Sequence, residues 1–246
     1  MTIAVLSDVH ANLEALLAVL RVMDLAKPDA VVCLGDLVGY NADPEACVAA
    51  VLDRAAATVR GNHDKAVAGL MGLEWFNPIA AEAARWTRRE MGSEALGRLA
   101  RLPAGPVAMP GGVLLCHGTP YDEDEYLVSE AAVSESFRAL ERDHPAARWC
   151  LHGHTHEPLA VEFRGGRTRR LAAGPVRFEA SARYLLNPGS VGQPRDGNPL
   201  ASFGILDTSH GTWRVVRVRY DVAGAQGKIS AARLPGELAA RLAEGW

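Results

Sequence analysis

An α/β fold with two stacked β-sheets flanked by helices follows from two features of the 246-residue sequence. In the first half, short apolar runs alternate with helical patterns, the signature of βαβ units around a parallel sheet. In the second half, strands separated by tight turns follow one another, which adds an antiparallel or mixed sheet and with it a second layer. No repeat, low-complexity tract or linker interrupts the chain. One domain over 1–246 is therefore expected, long enough to bury a full core.

IAVLSD (3–8) reads as a buried strand, and Leu13, Leu16, Leu17 and Leu20 then recur at helical spacing behind the capping residue Asn12. AVVCLGD (30–36) is the next strand, and Asp43-Pro44 opens the following helix as a cap with proline in the first turn. ATVRGNHD (57–64) reads as the end of a third strand. IAAEAARWTRREM and SEALGRLARL read as two helices, and PVAMPGGVLLCHG as a hairpin turning at Pro110-Gly111-Gly112. A helix near 129–143 places Val133, Phe137 and Leu140 on one face, and the strand RWCLH follows it. The strands LAVEF, TRRLA, RYLLN, SFGILD and TWRVVRVRY come next, before terminal helices interrupted at Leu234-Pro235-Gly236.

Charge excludes some functions. With 26 Lys+Arg against 29 Asp+Glu and a net charge of −3, no single-sign block marks a nucleic-acid arm, so any affinity for anions must be local. MTIAVLSDVH lacks the basic and apolar regions of a signal peptide, and no stretch approaches the roughly 20 apolar residues of a membrane span. A cytoplasmic protein without a membrane partner is expected. Cys33, Cys47, Cys116 and Cys150 form no CxxC pair and read as buried small hydrophobes in a reducing compartment.

The chemistry gathers where apolar runs end. Asp8-Val9-His10, Gly35-Asp36, Gly61-Asn62-His63-Asp64, His117-Gly118 and His152-Gly153-His154-Thr155-His156 each follow directly on such a run. Ligand groups in α/β sheets collect beyond the carboxyl ends of strands, so these clusters converge on one crevice. Six of the eight histidines lie in them; His144 and His210 read as surface residues. Extended backbone would put Asp8 beside His10 and His154 beside His156 on one side, and the neighbouring glycines would let the chain approach a metal closely. So many carboxylates and imidazoles exceed the needs of one ion. Two ions about 3.5–4 Å apart, bridged by a carboxylate, would use them and suit in-line attack at phosphorus.

The order DxH, GD, GNHD, HG and GHTH resembles the calcineurin-like metallophosphoesterase family, in particular its small uncapped bacterial and archaeal phosphodiesterase branch. GDLVGY (35–40) and NPGSVGQPRDG (187–197) extend the resemblance along the chain. It implies a four-layer α-β-β-α sandwich. It also implies one metal held by Asp8, His10, Asp36 and His156, and another by Asp36, Asn62, His117 and His154, with Asp36 bridging. The implied reaction is hydrolysis of phosphodiesters, or of phosphomonoesters, by in-line attack of a metal-bridging hydroxide. His63 is then the general acid, its ring held by Asp64. The neutral amide oxygen of Asn62 suits a ligand that must not cancel further cationic charge. Oxygen and nitrogen donors without thiolate admit manganese, iron, cobalt, nickel or zinc, and manganese is the expected ion.

Other residues have more than one reading. His152 is either a hydrogen-bonding neighbour of the ligands or a packed structural histidine. Arg195 offers a planar fork for a substrate phosphate and Tyr40 a wall for the mouth of the site, beside the alternatives of a solvated arginine and a packed ring. Asn187-Pro188-Gly189-Ser190 is a turn first. Arg164, Arg167, Arg169 and Arg170 form a basic hairpin that reads as solvated, without the interleaved aromatics of a nucleic-acid surface. A small phosphate ester or nucleotide is the expected partner. A non-catalytic protein-binding scaffold and a nuclease are the alternative functions, and no strong nucleic-acid binding is expected.

Overall fold

The computed structural model describes residues 1–246. From the N-terminus come strand β1 (Thr2–Leu6), helix α1 (Leu13–Leu25), β2 (Ala30–Cys33), α2 (Pro44–Arg54), β3 (Ala57–Thr58), α3 (Asn62–Val67), α4 (Pro78–Glu90) and α5 (Ser93–Ala100). The middle of the chain supplies β4 (Val107–Met109), β5 (Val113–Leu115), α6 (Glu130–Asp143), β6 (Trp149–Leu151), β7 (Pro158–Arg164) and β8 (Arg167–Arg170). Then follow β9 (Val176–Arg177), β10 (Arg183–Pro188), β11 (Ala201–Asp207), β12 (Thr212–Val218), α7 (Val222–Ala231) and α8 (Gly236–Glu244).

Two mixed six-stranded sheets result, in the orders β3-β2-β1-β11-β12-β9 and β4-β5-β6-β10-β7-β8. β1, β2 and β3 run parallel in the first, as do β5, β6 and β10 in the second; antiparallel partners complete both. The parallel and antiparallel strands are thus shared between the sheets instead of being segregated by halves of the sequence.

Side-chain alternation makes the layers. Ile3 and Val5 of β1 point between the sheets, with Val32, Val113, Leu115, Trp149, Leu151, Tyr184, Leu186 and Trp213. Ala4 and Leu6 point the other way, onto a core that includes Leu16, Val19 and Met23 of α1 and Val48 and Val51 of α2. In the second sheet Leu114, Cys150 and Leu185 face outward under Val133, Phe137 and Leu140 of α6. Both faces of each central strand are buried, which is why these strands are continuous apolar runs. Burying each large side chain contributes about 1.5–3 kcal/mol.

Local signals act largely as expected. Asn12 Oδ1 accepts the Ala15 N–H at 3.1 Å and caps α1. Leu17, however, falls outside the buried stripe and is 41% exposed. Asp43 occupies the cap position of α2, but its carboxylate accepts from Lys228 Nζ at 2.7 Å instead of the helix N–H groups. The stretch GNHD does not continue a strand: β3 ends at Thr58, and Asn62, His63 and Asp64 form the first turn of α3. The two-residue strand β9 has no counterpart in the sequence reading. All four cysteines are buried free thiols, and no helix is long and apolar enough to cross a membrane.

Candidate metal centre

The parallel strands of both sheets end at one edge, and the turns beyond β1, β2, β5 and β6 carry Asp8, Asp36, His117 and His154. Backbone hydrogen bonds join these turns. Asp8 N–H donates to Gly35 O at 3.0 Å, His10 N–H to Asp36 O at 2.9 Å, Gly153 N–H to His117 O at 2.9 Å, and Gly192 N–H to Asp8 O at 2.9 Å. The turn after β10 therefore also belongs to the site; Ser190 Oγ donates to Asp8 O at 2.8 Å.

The expected alternation of extended backbone is not what brings the donors together. Asp8, His10, Asp36, His154 and His156 all have left-handed backbone, with φ of 53°, 47°, 53°, 67° and 61°. Each such non-glycine residue costs of order 1 kcal/mol or more and persists because the surrounding hydrogen bonds enforce it. The strained turns aim Asp8 and His10 at one donor set and divide His156 and His154 between that set and its neighbour.

Two donor groups result. Asp8, His10, Asp36 and His156 offer atoms within 4.8 Å of one another, and Asp36, His117 and His154 form a second such set, so Asp36 is common to both. Its Oδ2 lies 3.5 Å from both His10 Nε2 and His117 Nε2, while Oδ1 accepts the His63 backbone N–H at 2.9 Å. Asn62 Oδ1 is 3.4 Å from His117 Nε2. All the residues of the two sets are buried.

The donor chemistry fits cations. His10 Nδ1 donates to Val38 O at 3.0 Å and His156 Nδ1 to Gln193 O at 2.6 Å, which leaves a bare lone pair on each Nε2. Those two Nε2 atoms face each other at 3.0 Å. Two lone pairs at that separation repel unless a cation lies within their reach. Burial holds His10 and His156 well below the ordinary imidazole value and pushes His154 down to about 3, so these rings stay neutral and ready to ligate. Burial likewise pushes Asp8 up to about 7. Asp36 behaves oppositely: burial would raise it, but the nearby His117 and His63 hold it well below the usual carboxylate range. His117, against the effect of its own burial, is raised to about 10 by Asp36. One proton thus sits where a cation would replace it.

His63 stands beside the donors, its ring 4.8 Å from His10, 4.4 Å from Tyr40 and 4.8 Å from Phe76. Asp64 does not hold it. Asp64 Oδ1 accepts from Leu37 N–H at 2.8 Å and Val38 N–H at 3.2 Å, and Oδ2 from Gly61 N–H at 3.0 Å. The reason is helical: as the third residue of α3, Asp64 turns back to the helix start, while His63 points roughly 100° away around the axis. His63 Nδ1 is buried without a partner, against Gly39. At Gly39, φ is +92° and a Cβ would lie 2.5 Å from that nitrogen, so only glycine allows the ring its place.

The other expected residues are also near. The ring of Tyr40 lies 4.6 Å from His10, and Arg195 Nη2 donates to Gln193 Oε1 at 2.9 Å and to Tyr40 Oη at 3.3 Å. His152 is fully buried; its Nδ1 takes the Asn187 amide at 3.3 Å, and it lies in neither donor set. The basic hairpin pairs three of its arginines with carboxylates: Arg164 with Glu179 at 3.7 Å, Arg169 with Glu162 at 3.1 Å and Arg170 with Glu130 at 3.5 Å. Sequence reasoning missed Ser7, whose Oγ donates to Asp8 Oδ2 at 2.6 Å, and Tyr126, stacked on His154 at 3.6 Å. It also missed Asp124, whose carbonyl accepts from His154 Nε2 at 3.0 Å. Ser7 adjoins a motif and could have been found; Tyr126 and Asp124 arrive from a distant loop without any local signal.

Residues 1–211 match the family model of the calcineurin-like phosphoesterase superfamily domain. An uncharacterized protein of Methanocaldococcus jannaschii is 38% identical over 244 residues, covering 98% of this chain and 96% of its own length. The crystal structure of a metallophosphoesterase from Sphaerobacter thermophilus is 37% identical and superposes with a TM-score of 0.84, covering 100% of this chain and 99% of that one. A hypothetical protein of Pyrococcus horikoshii OT3, 19% identical, has the same fold, with a TM-score of 0.81 over 100% of this chain and 98% of its own.

Proposed function

Because the chain belongs to the calcineurin-like phosphoesterase superfamily, we propose that it hydrolyses phosphodiesters, and phosphomonoesters secondarily, with two divalent cations, manganese foremost. Asp8, His10, Asp36 and His156 would hold one cation, and Asp36, Asn62, His117 and His154 the other. The carboxylate of Asp36, common to both donor sets, is the observation that carries this reading. Bound there, the cations would polarise the phosphoryl oxygens and lower the pKa of the water that attacks phosphorus.

The chain's own groups do the rest. Val38 and Gln193 carbonyls fix the His10 and His156 tautomers, so no reorganisation is needed when the donors are used. Arg195, whose Nε is buried without an acceptor, offers its guanidinium to a non-bridging phosphate oxygen, and Tyr40 backs it. His63 supplies the proton to the leaving oxygen. Its Nδ1 is closed off by Gly39, so that proton travels on Nε2. Asp64 serves by fixing the turn that presents His63, through its three backbone N–H bonds. A single domain over 1–246 in the cytoplasm belongs to the same reading.

Purified protein with manganese should cleave bis(p-nitrophenyl) phosphate, and His63→Ala should slow that turnover by about 10²–10⁴-fold. An absence of turnover across several metals and esters would overturn the proposal.

A further inference from the structure

A second region, built by the C-terminal helix, opens beside the donor cluster. A cleft of about 290 Å³ is lined by Tyr40, Asn77, Tyr126, Arg195, Arg241 and Trp246. Two of these residues touch the candidate metal centre directly: Tyr40 against His10 and His63, and Tyr126 against His154. Arg241 and Trp246 form its far wall.

Three properties of this cleft define what it would take. Neither Arg195 nor Arg241 forms an ion pair, and the nearest carboxylate at the wall, Glu244, accepts the Trp246 indole N–H, so two guanidinium groups stand at the cleft without a salt-bridge partner. Aromatic faces stand with them. Tyr126 is 45% and Trp246 56% exposed, far more than rings of their size would be in a packed core, while the Arg241 guanidinium lies 5.5 Å from the centre of the Trp246 ring. Finally, the wall is fixed in place. Gly197 N–H, in the loop that carries Arg195, donates to Gly245 O at 2.8 Å, and Gly245 N–H closes α8 onto Arg241 O at 2.8 Å. Gly245 sits at φ +75°, and a Cβ there would meet Asn198 backbone atoms at 2.6 Å, so glycine is what lets α8 end against that loop.

We propose that this cleft is the subsite for the non-reacting arm of a nucleotide ester, with the base on the Trp246 and Tyr126 rings and a second phosphate on Arg241. The inference rests on the phosphoesterase reading above and adds the substrate class. A ring and a dianion on one small arm match exposed aromatic faces beside an unpaired guanidinium; an alkyl ester would use neither. Arg195, nearer the donors, is left for the phosphate that reacts.

Two p-nitrophenyl esters with the same leaving group test this: methyl p-nitrophenyl phosphate, and thymidine 3′-phosphate 5′-(p-nitrophenyl phosphate). With manganese, kcat/KM should favour the nucleotide ester by roughly tenfold or more. Arg241→Gln and Trp246→Ala should each bring that ratio down severalfold, and together close to one. The ratio is internal to each variant, so a loss of folded protein does not mimic the result. A wild-type ratio near one, or a ratio that both variants keep, would overturn the subsite while leaving the phosphoesterase reading intact. If neither ester, nor bis(p-nitrophenyl) phosphate, turns over with any of several divalent metals, the phosphoesterase reading fails, and calorimetry with thymidine 3′,5′-bisphosphate on EDTA-treated protein decides the subsite. Binding that Arg241→Gln/Trp246→Ala weakens about tenfold supports it; no binding, or binding the double variant retains, overturns it.

Discussion

The layer between the sheets and the donor cluster are equally buried, stand on the same strands, and follow opposite rules. Ile3 and Val5 lie in a layer built of aliphatic side chains and aromatic rings. Three residues beyond Val5, Asp8 begins a cluster of buried carboxylates and imidazoles on left-handed backbone, with two nitrogen lone pairs facing each other at 3.0 Å. The first region lowers the free energy of the fold by removing apolar surface from water. The second raises it by desolvating charge and straining turns, and does so in a form that a cation would relieve. The strands supply stability in their bodies and spend some of it at their ends.

Separating the two regions by mutation gives the largest expected effect. Asp36→Asn keeps the shape and removes the shared charge, so turnover should fall by about 10³-fold or more, roughly 4 kcal/mol of transition-state stabilisation. Thermal unfolding of the same variant without metal should show a modest loss at most, since the buried His117 imidazolium loses its partner and gives up its proton. A metal-free loss as large as that of a core cavity would break the contrast. Ile3→Ala should do the converse, costing about 2–5 kcal/mol in denaturant unfolding while the remaining folded enzyme keeps its kcat.

Next in size is the response to the ion. Manganese at 100 times its dissociation constant should stabilise the wild type by about 2.7 kcal/mol and EDTA should reverse this; Asp36→Asn should show little of it, and Ile3→Ala should keep it in full. A melting temperature indifferent to manganese would remove the claim that the cluster waits for a cation. The smallest effect belongs to the basic hairpin. Arg164 and Glu179 are 53% and 59% exposed where they pair, so Arg164→Ala should change stability by about 0–1 kcal/mol and leave turnover alone.

Much of the fold was legible because local chemistry decides it. The Asn12 cap, the hairpin at Gly111-Gly112 and the apolar face of α6 all appear where their residues place them. The donor residues were equally legible as clusters that follow apolar runs. What failed were inferences that carried strand geometry past the strand. Asn62, His63 and Asp64 begin a helix, which separates Asp64 from the ring it was expected to hold. The donors of Asp8-Val9-His10 converge through left-handed turns and not through alternation. Tyr126, Asp124, Arg241 and Trp246 were invisible because each reaches the site from an element whose sequence looks like an ordinary loop or amphipathic helix.

The sequence by itself determined the long central strands and which residues can ligate, because periodicity and side-chain chemistry are properties of neighbours along the chain. Only the tertiary structure decided that parallel strands of two sheets end at a common edge, that Asp36 lies within reach of both donor sets, and that α8 walls the cleft beside them. Those are relations between residues far apart in sequence. They are fixed by how the layers pack and how the turns hydrogen-bond across the edge, and no local pattern encodes that.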